Sequence, residues 1–169
     1  HVVGFDIDEN SITEARNRFD QLLMNLKKRG VRVLPVYEYY VMDLSQKSNL
    51  EKISNILKQR KFNIVSCQFA IHYFFRNKES LINLMTIVKD YSLKGAYWIG
   101  TTVNGDMVMD LLKGKKMIGN NIYSIEKKYN EVVNAYNNTY LVALGEKTDT
   151  EHYFANKKSE EYLVTIDEL

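Results

Sequence analysis

The sequence predicts an α/β protein in which a doubly wound, mostly parallel sheet carries added antiparallel strands. Up to about residue 104, short apolar segments alternate with segments whose apolar residues recur at helical spacing. This alternation is typical of parallel sheets, because a parallel connection needs a crossover helix. Beyond that point strand-like segments follow one another, which indicates antiparallel pairing. We expect one domain over residues 1–169 that is incomplete at both ends, since the chain begins inside a strand.

The first strand and helix are predicted by adjoining segments. VVGFDI is an apolar strand that ends in an acid, and apolar residues recur at helical spacing over residues 12–26. Asn10 and Ser11 are both suitable N-caps. The segment closes with KKRG, and basic residues followed by glycine are typical of a helix C-terminus. The sequence therefore predicts a helix that begins at Asn10 or Ser11 and ends at Gly30.

The remaining elements follow the same alternation. VRVLPVYEYYVMDL predicts a second strand, and Ser45 or Ser48 is expected to cap a helix that runs to about residue 60. A third strand is predicted over residues 62–70, a third helix over 78–91, and a fourth strand at GAYWIGTTV. GNNIYSIEKKY and TYLVALGE are expected to be the antiparallel strands.

Composition and charge exclude several classes of protein. With 45% hydrophobic and 26% charged residues, the chain has an ordinary globular composition. Its formal net charge of +2 is too small for bulk attraction to polyanions, so any contact with nucleic acid has to be local. One cysteine excludes an internal disulfide. The three histidines lack metal-ligand spacing, so no metal is expected. No apolar run is long enough to span a membrane, and no membrane partner is expected.

Polar and aromatic residues crowd the end of the third predicted strand, in the stretch QFAIHYFF. Ligands of parallel sheets bind beyond the carboxyl ends of the strands. The run does not follow a helical or strand period, so a core role fits it poorly. His72 and Tyr73 suit the stacking and edge recognition of an exposed nucleobase. A single histidine is more often structural, and that alternative stays open.

Acids end the first two predicted strands. Asp6 is placed to accept hydrogen bonds from two ribose hydroxyls, as acids at this position do in nucleotide sites. A helix-capping role is equally compatible with the local sequence, and Asp8 and Glu9 compete for that role. Asp43 presents the same choice between an adenine amino group and a helix cap.

Five segments, in chain order, carry a family resemblance: VVGFDIDENSITEARNRF, FNIVSCQFAIHYFF, GAYWIGTTVNG, GNNIYSI and EEYLV. Together they resemble the messenger RNA cap guanine-N7 methyltransferases, and most of all the capping enzymes of large cytoplasmic DNA viruses of the African swine fever virus and poxvirus type. The resemblance implies the class I S-adenosylmethionine-dependent methyltransferase fold, which is Rossmann-like. The first strand and glycine-rich turn of that fold are expected to be absent from this chain.

The same resemblance implies a cofactor site for S-adenosylmethionine. Asp6 would hold the ribose, Asp43 with Leu44 would contact the adenine, and Gln68 and Phe69 would line the methionine end. No residue is expected to act as a catalytic acid or base, because guanine N7 has a free lone pair and no proton to lose. Catalysis would then consist mostly of positioning.

Four residues would bind the capped RNA: His72 and Tyr73 at the guanosine, Glu161 at its amino edge, and Arg18 at the triphosphate. An exposed arginine on a solvated helix face is the alternative for Arg18. Two further acids compete with Glu161, namely Glu151 and Glu160. Only Glu161 is followed by Tyr-Leu-Val, as the family pattern requires.

The resemblance also implies partners and a location. Capped RNA is the expected partner, and fused guanylyltransferase or triphosphatase domains upstream and a stimulatory subunit are compatible with the family. The expected location is the host cytoplasm, in a viral factory, or the virion. A methyltransferase-like scaffold that has lost its cofactor, and an ordinary small-molecule methyltransferase, are the alternative functions.

Overall fold

The computed structural model describes residues 1–130, 133–144 and 158–168. The chain divides into two compact units, His1–Lys58 and Gln59–Leu169. Each contains both strands and helices. Across the described ranges, no helix combines the length and the apolar character that crossing a membrane requires.

The first unit consists of two parallel strands and two helices. Its elements in chain order are β1 (Val2–Asp6), α1 (Glu9–Lys28), β2 (Tyr37–Val41), a 3-10 turn (Lys47–Asn49) and α2 (Leu50–Leu57). Helix α1 packs on β2 through the ring of Phe19, whose centroid lies 4.5 Å from that of Tyr37 and 6.1 Å from that of Tyr39. The Arg16 guanidinium donates to the Tyr39 carbonyl over 2.7 Å. The predicted strand, helix, strand order of this unit is confirmed.

The N-cap of α1 is Asp8, and the expectation of Asn10 or Ser11 is wrong. The Asp8 carboxylate accepts a hydrogen bond of 2.7 Å from the backbone N–H of Ser11. Hydrogen bonds from Ser11 hold the pKa of Asp8 below its ordinary value. A carboxylate also complements the positive end of the helix, which favours an acid over the two neutral residues here.

Two other boundaries differ from the sequence prediction. The second strand is confined to Tyr37–Val41, the part of the predicted segment that pairs with β1. Neither Ser45 nor Ser48 caps a helix, because α2 begins at Leu50 without a side-chain cap. A 3-10 turn takes up the residues before it.

The second unit combines a parallel strand pair with an antiparallel sheet. Its elements are β3 (Phe62–Gln68), a 3-10 segment (Ile71–Arg76), α3 (Lys78–Tyr91), β4 (Ser92–Thr101), α4 (Gly105–Leu111), β5 (Met117–Gly119), β6 (Tyr123–Lys127), β7 (Thr139–Leu144), β8 (Ser159–Tyr162) and a 3-10 turn (Ile166–Glu168). Strands β3 and β4 pair in parallel, and the antiparallel sheet has the order β5-β6-β7-β8. The predicted antiparallel addition is confirmed and is larger than the two strands expected.

A buried cluster joins α4 to one face of the antiparallel sheet. Its members are Val108, Leu112, Tyr140 and Leu163. Tyr140, only 1% exposed, lies on β7 directly opposite Glu161 on β8. The cluster therefore holds β7 in place next to β8, the strand that carries Glu161.

One aromatic residue of the stretch QFAIHYFF, Phe75, is part of the hydrophobic core. Phe75 is 3% exposed, and its ring centroid lies 6.2 Å from that of Tyr136. The expectation that a core role fits this run poorly is wrong for Phe75. The 3-10 geometry of the segment explains the error, because it turns one side of an aperiodic run inward.

Candidate functional site

Gln68 and Thr101 end two neighbouring parallel strands and bind each other. They are opposite residues in the register of β3 and β4, and the Thr101 hydroxyl donates to Gln68 Oε1 over 2.9 Å. Gln68 Nε2 donates to the hydroxyl of Ser66 over 3.1 Å. The exposed amide is thus held in place at the edge where parallel sheets bind ligands.

Phe69 follows β3 in a left-handed backbone conformation. Its φ of 49° lies in a region that costs a bulky residue about 1–3 kcal/mol. A hydrogen bond of 2.8 Å from its backbone N–H to the Thr101 carbonyl holds this turn. The ring is 63% exposed. The turn therefore presents an aromatic face beside Gln68 instead of burying it.

The 3-10 segment places its histidine and its tyrosine in different environments. His72 is 4% exposed, whereas Tyr73 is 40% exposed. Their ring centroids are 4.1 Å apart, with an interplanar angle of 47°. Thr102 Oγ1 lies 3.5 Å from His72 Nδ1. Tyr73 is the ring that a ligand can reach, and the burial of His72 favours a structural part in the site.

Glu161 contacts both of these residues from a strand far along the chain. Its Oε1 accepts hydrogen bonds from the Tyr73 hydroxyl over 3.1 Å and from the Ser159 hydroxyl over 2.6 Å. Its Oε2 lies in close contact with His72 Nε2. That nitrogen has no partner in hydrogen-bonding geometry within the described chain, so the contact is close but is not a directed hydrogen bond. We call Glu161, His72, Tyr73 and Ser159 the Glu161 cluster.

The cluster keeps a nearly buried carboxylate ionised. Burial alone would raise the pKa of Glu161, but the contact with His72 and the hydrogen bonds from Ser159 and Tyr73 outweigh it and lower the pKa. Glu161 is 8% exposed. A negative charge is therefore held in place beside the exposed ring of Tyr73.

Sequence reasoning did not identify three residues that contact or surround the cluster. Ser159 binds Glu161, Thr102 approaches His72, and Tyr140 lies opposite Glu161 in the sheet. Burial raises the pKa of Tyr140, and the Glu161 charge raises it further. Only Ser159 carried a usable signal, because residues two apart on a strand share a face.

Asp6 lies exposed at the carboxyl end of β1. Its Oδ1 accepts a hydrogen bond of 2.9 Å from the backbone N–H of Asp8. No described residue donates to its Oδ2. Because Asp8 caps α1, the alternative role of Asp6 as the helix cap is excluded. An exposed carboxylate with an uncommitted oxygen fits the predicted ribose contact, which stays a prediction.

Asp43 and Leu44 follow β2 in a turn. Asp43 Oδ1 accepts from the backbone N–H of Ser45 over 2.9 Å, and Asn49 Nδ2 donates to the Asp43 carbonyl over 3.0 Å. Both Asp43 and Leu44 are half-buried. Asp43 therefore shapes a turn and does not cap a helix, while its contact with adenine stays a prediction.

Arg18 lies on the exposed surface of α1 and pairs with Glu14, one turn earlier. Exposed pairs of this kind contribute about 0.3–0.5 kcal/mol, so a ligand could displace Glu14 at little cost. An exposed arginine paired with a glutamate one turn earlier is common on a solvated helix face. The predicted contact with a triphosphate is compatible with it and stays a prediction.

Of the two acids that compete with Glu161 in the sequence, the structure describes Glu160. Glu160 is exposed, and its Oε1 accepts a hydrogen bond of 2.9 Å from the Tyr162 hydroxyl. Glu151 lies outside the described residues. Among the residues that are described, no group of histidine, cysteine and acidic side chains could hold a metal ion.

Comparison with known families and proteins gives a consistent result. Residues 1–159 match the model of the mRNA (guanine-N(7))-methyltransferase domain. A Schizosaccharomyces pombe protein named mRNA cap guanine-N(7) methyltransferase is 30% identical over 129 residues, which are 73% of this chain and 32% of that protein.

Viral proteins match over a larger part of the chain. A probable mRNA-capping enzyme of Acanthamoeba polyphaga mimivirus is 24% identical over 87% of this chain and 14% of that protein. The mRNA-capping enzyme catalytic subunit of Fowlpox virus is 28% identical over 80% of this chain and 16% of that protein. The chain thus spans a third or less of the length of these relatives.

A solved structure confirms the fold class. An S-adenosylmethionine-dependent methyltransferase from Clostridium acetobutylicum superposes with a TM-score of 0.55, covering 98% of this chain and 59% of that chain. The sequence identity is 12%, so the likeness concerns the fold alone.

Proposed function

Because the chain belongs to the mRNA (guanine-N(7))-methyltransferase family, we propose that it transfers a methyl group from S-adenosylmethionine to N7 of the guanosine cap of messenger RNA. The observation that carries the proposal is the Glu161 cluster. It places an ionised, nearly buried carboxylate next to an exposed tyrosine ring. Guanine presents N1–H and the N2 amino group side by side as donors, and one carboxylate accepts from both.

The number of acceptor positions on Glu161 indicates how a base would enter. A carboxylate has about four lone-pair positions. Hydrogen bonds from Ser159 and Tyr73 occupy two of them, and the close approach of His72 Nε2 to Oε2 blocks a third. Guanine needs two, so one protein contact has to give way. The Tyr73 hydrogen bond is the longer of the two at 3.1 Å and belongs to the most exposed partner. We infer that the Tyr73 hydroxyl leaves Glu161 when guanine binds, and that its ring then stacks on the base.

The reaction needs no proton transfer from the protein. Guanine N7 has a lone pair and no hydrogen, so neither a general base nor a nucleophilic side chain is required. Correct positioning of two reactants can contribute about 7–11 kcal/mol. Methylation leaves the purine positively charged, so its attraction to Glu161 grows toward the transition state. Only such growing interactions accelerate the chemical step.

The residues at the strand ends fit the methyl donor. S-adenosylmethionine would supply an electrophilic methyl group when bound. Asp6 offers an exposed carboxylate with one uncommitted oxygen for ribose hydroxyls, and Asp43 with Leu44 would contact the adenine. Gln68 and the exposed ring of Phe69 would line the methionine end.

Arg18 is proposed to bind the cap triphosphate. Its planar guanidinium can donate two parallel hydrogen bonds to phosphate oxygens. Binding of the triphosphate would replace the ion pair with Glu14 by stronger, charge-assisted hydrogen bonds from Arg18 to phosphate oxygens.

The test is transfer of a labelled methyl group from S-adenosylmethionine to capped dinucleotides by the purified protein. We expect a guanosine-capped dinucleotide to be methylated and an adenosine-capped one to be inert. Mass analysis of the digested product should place the methyl group on N7. Equal labelling of both dinucleotides would contradict base recognition by Glu161, and no labelling of either would contradict the activity.

A scaffold without cofactor is the second candidate, and the exposed carboxylate of Asp6 weighs against it. Calorimetry with S-adenosylhomocysteine separates the two candidates. Binding supports the enzyme, whereas absence of heat from a folded protein supports the scaffold.

We further propose a viral origin, with action on RNA in the host cytoplasm, in a viral factory, or in the virion. Support comes from the two viral relatives, which match 87% and 80% of the chain. Fused capping domains and a stimulatory subunit belong to the same proposal. Purification of the protein from infected cells, followed by mass spectrometry of what accompanies it, would test both points.

A further inference from the structure

The antiparallel sheet carries a local concentration of positive charge. An open groove of about 500 Å³ is lined by Gly114, Lys115, Lys116, Lys127, Lys128 and Tyr129. We call this the lysine groove. The formal net charge of the whole chain is only +2. Four lysines around one groove are therefore a feature of this surface and not of the composition.

Two of these lysines stand on the same face of the sheet as Glu161. Lys127 on β6 is opposite Tyr140 on β7, which is opposite Glu161 on β8. The Lys127 backbone N–H donates to the Lys116 carbonyl over 2.8 Å, which extends the row to the residue before β5. Side chains directly opposite in antiparallel strands share a face. Lys116, Lys127, Tyr140 and Glu161 therefore form one row across the sheet.

Glu126, an acid of the neighbourhood that pairs with lysines, points to the other face. Glu126 precedes Lys127 on β6, so the two side chains alternate. Its oxygens bind the ammonium groups of Lys128 over 2.6 Å and Lys158 over 2.8 Å, and these contacts lower its pKa to about 2. Glu126 thus neutralises one of the four lysines that line the groove, Lys128, together with Lys158. Lys115 and Lys116 are exposed and have no acidic partner among the described residues.

The groove has an aromatic wall as well as charge. The Lys127 ammonium lies over the ring of Tyr129, 4.9 Å from its centroid. Tyr129 packs partly against the buried cluster of α4, so the ring and the ammonium above it are held in place. Positive charge combined with an aromatic side chain is the composition of surfaces that bind single-stranded nucleic acid.

We propose that the lysine groove binds the phosphate backbone of the RNA downstream of the cap, an inference that rests on the proposed function. Neighbouring strands are about 4.8 Å apart, so three intervals put Lys116 roughly 15 Å from Glu161. Phosphates follow one another at about 3.4 Å along a stacked strand. Because α4 packs on Tyr140 in the middle of this row, the RNA would pass around α4, and nucleotides a few positions downstream of a cap bound at Glu161 would come within reach of the groove.

The test compares two double variants that each remove two positive charges. Lys115→Gln with Lys116→Gln alters the groove. Lys89→Gln with Lys94→Gln is the matched control, since both residues are exposed, Lys89 in the last turn of α3 and Lys94 near the start of β4. Binding of an uncapped RNA of about 16 nucleotides is measured from 0.1 to 1 M salt, a length within the range of single-strand sites. Methylation of a capped dinucleotide is measured in parallel.

We expect the groove variant to lose about 1.4 from the slope of log affinity against log salt, or about 0.7 for each lysine on a single strand. With equal affinities at 1 M salt, this difference in slope makes the binding of the groove variant about 25-fold weaker than that of the unaltered protein at 0.1 M. Methylation of the capped dinucleotide should not change, because it has no downstream chain.

Three results would overturn the inference. The slope of the groove variant could equal that of the unaltered protein, or the control could change as much. A polyglutamate peptide of equal charge could also compete as well as RNA, which would assign the groove to an acidic protein segment. Failure of the proposed function is a separate result, seen as no methylation of the capped dinucleotide, and RNA binding still tests the groove in that case.

Discussion

At the scale of single residues, neighbouring acids on β8 have opposite surroundings. Glu161 is nearly buried and contacts three side chains of the Glu161 cluster, whereas Glu160 is exposed and accepts from Tyr162. Consecutive residues of a strand point to opposite faces. The pair is therefore a matched test, because the same substitution at either position removes one charge from the same strand.

We predict that Glu161→Gln costs roughly 2–4 kcal/mol in transition-state stabilisation, by analogy with the loss of one oriented electrostatic contact. The amide turns an amino group toward donors and removes the charge that attracts the methylated purine. Glu160→Gln should cost little. The measurement is kcat/KM for a guanosine-capped dinucleotide. An inactive Glu160→Gln protein with an active Glu161→Gln protein would show that the wrong acid has been assigned.

Two substitutions of Tyr73 separate the contribution of its ring to methylation from that of its hydroxyl. If the hydroxyl leaves Glu161 when guanine binds, Tyr73→Phe should keep most of the methylation rate, because the stacking face is retained. Tyr73→Ala should abolish methylation while S-adenosylhomocysteine binds normally by calorimetry. If Tyr73→Ala also lost the binding of S-adenosylhomocysteine, the residue would be structural.

The lowered pKa of Glu161 predicts a pH dependence of stability. A carboxyl whose folded pKa lies below its unfolded value of 4.5 contributes stability above that value. The contribution is lost as the pH falls below 4.5 and through the folded pKa. We expect the free energy of unfolding, measured by urea titration, to fall less steeply below pH 4.5 in Glu161→Gln than in the unaltered protein. Parallel curves for the two proteins would contradict this.

At the scale of elements, the edge that carries Gln68 depends on the close approach of β3 and β4. Gly100 on β4 faces Cys67 on β3 in the parallel register. A Cβ atom added at Gly100 would lie far inside van der Waals contact with the Cys67 carbonyl oxygen. The obstacle is backbone and cannot rotate away, so the strands would have to separate.

We predict that Gly100→Ala destabilises the fold by about 1–3 kcal/mol, the usual cost of overpacking. Because Gln68 and Thr101 adjoin this contact, their hydrogen bond should weaken too, and the KM for S-adenosylmethionine should rise. Lys94→Ala, at the exposed start of β4, is the control, with an expected change within about 0.5 kcal/mol. Urea unfolding of both variants gives the comparison, and equal stabilities would show that the strands can part freely.

At the scale of the whole molecule, cofactor binding and stability are linked. A ligand that binds only the folded protein stabilises it by about 2.7 kcal/mol at one hundred times its dissociation constant. Thermal unfolding of the entire protein therefore reports cofactor affinity without any catalytic turnover.

We predict that Asp6→Ala weakens binding of S-adenosylhomocysteine tenfold or more, because charge-assisted hydrogen bonds to ribose hydroxyls contribute about 1.5–3 kcal/mol each. The rise in the melting temperature that S-adenosylhomocysteine causes should shrink in this variant and not in Glu160→Gln. An undiminished rise would mean that Asp6 only holds the turn through its hydrogen bond with Asp8.

Local patterns in the sequence were enough to predict two long helices and the strand end that carries Gln68 and Phe69. Apolar residues at helical spacing predicted α1 and α3, and α3 begins and ends where expected, at Lys78–Tyr91. The position of Gln68 and Phe69 at a strand end followed from the order of strands and helices. These features depend on residues within a few positions of one another, which is the range over which periodicity, caps and turns act.

Tertiary structure decided the contacts between distant segments. The hydrogen bond between Tyr73 and Glu161 joins residues 88 positions apart. The row that connects Lys116 and Lys127 with Glu161 depends on the register of four strands. Periodicity shows which face of a segment is apolar, but not which distant segment covers it. The same local pattern allows several strand registers, and the packing of the whole unit selects one of them. Only that selection decides whether an acid such as Glu161 is solvated or buried, and which charged groups lie next to it.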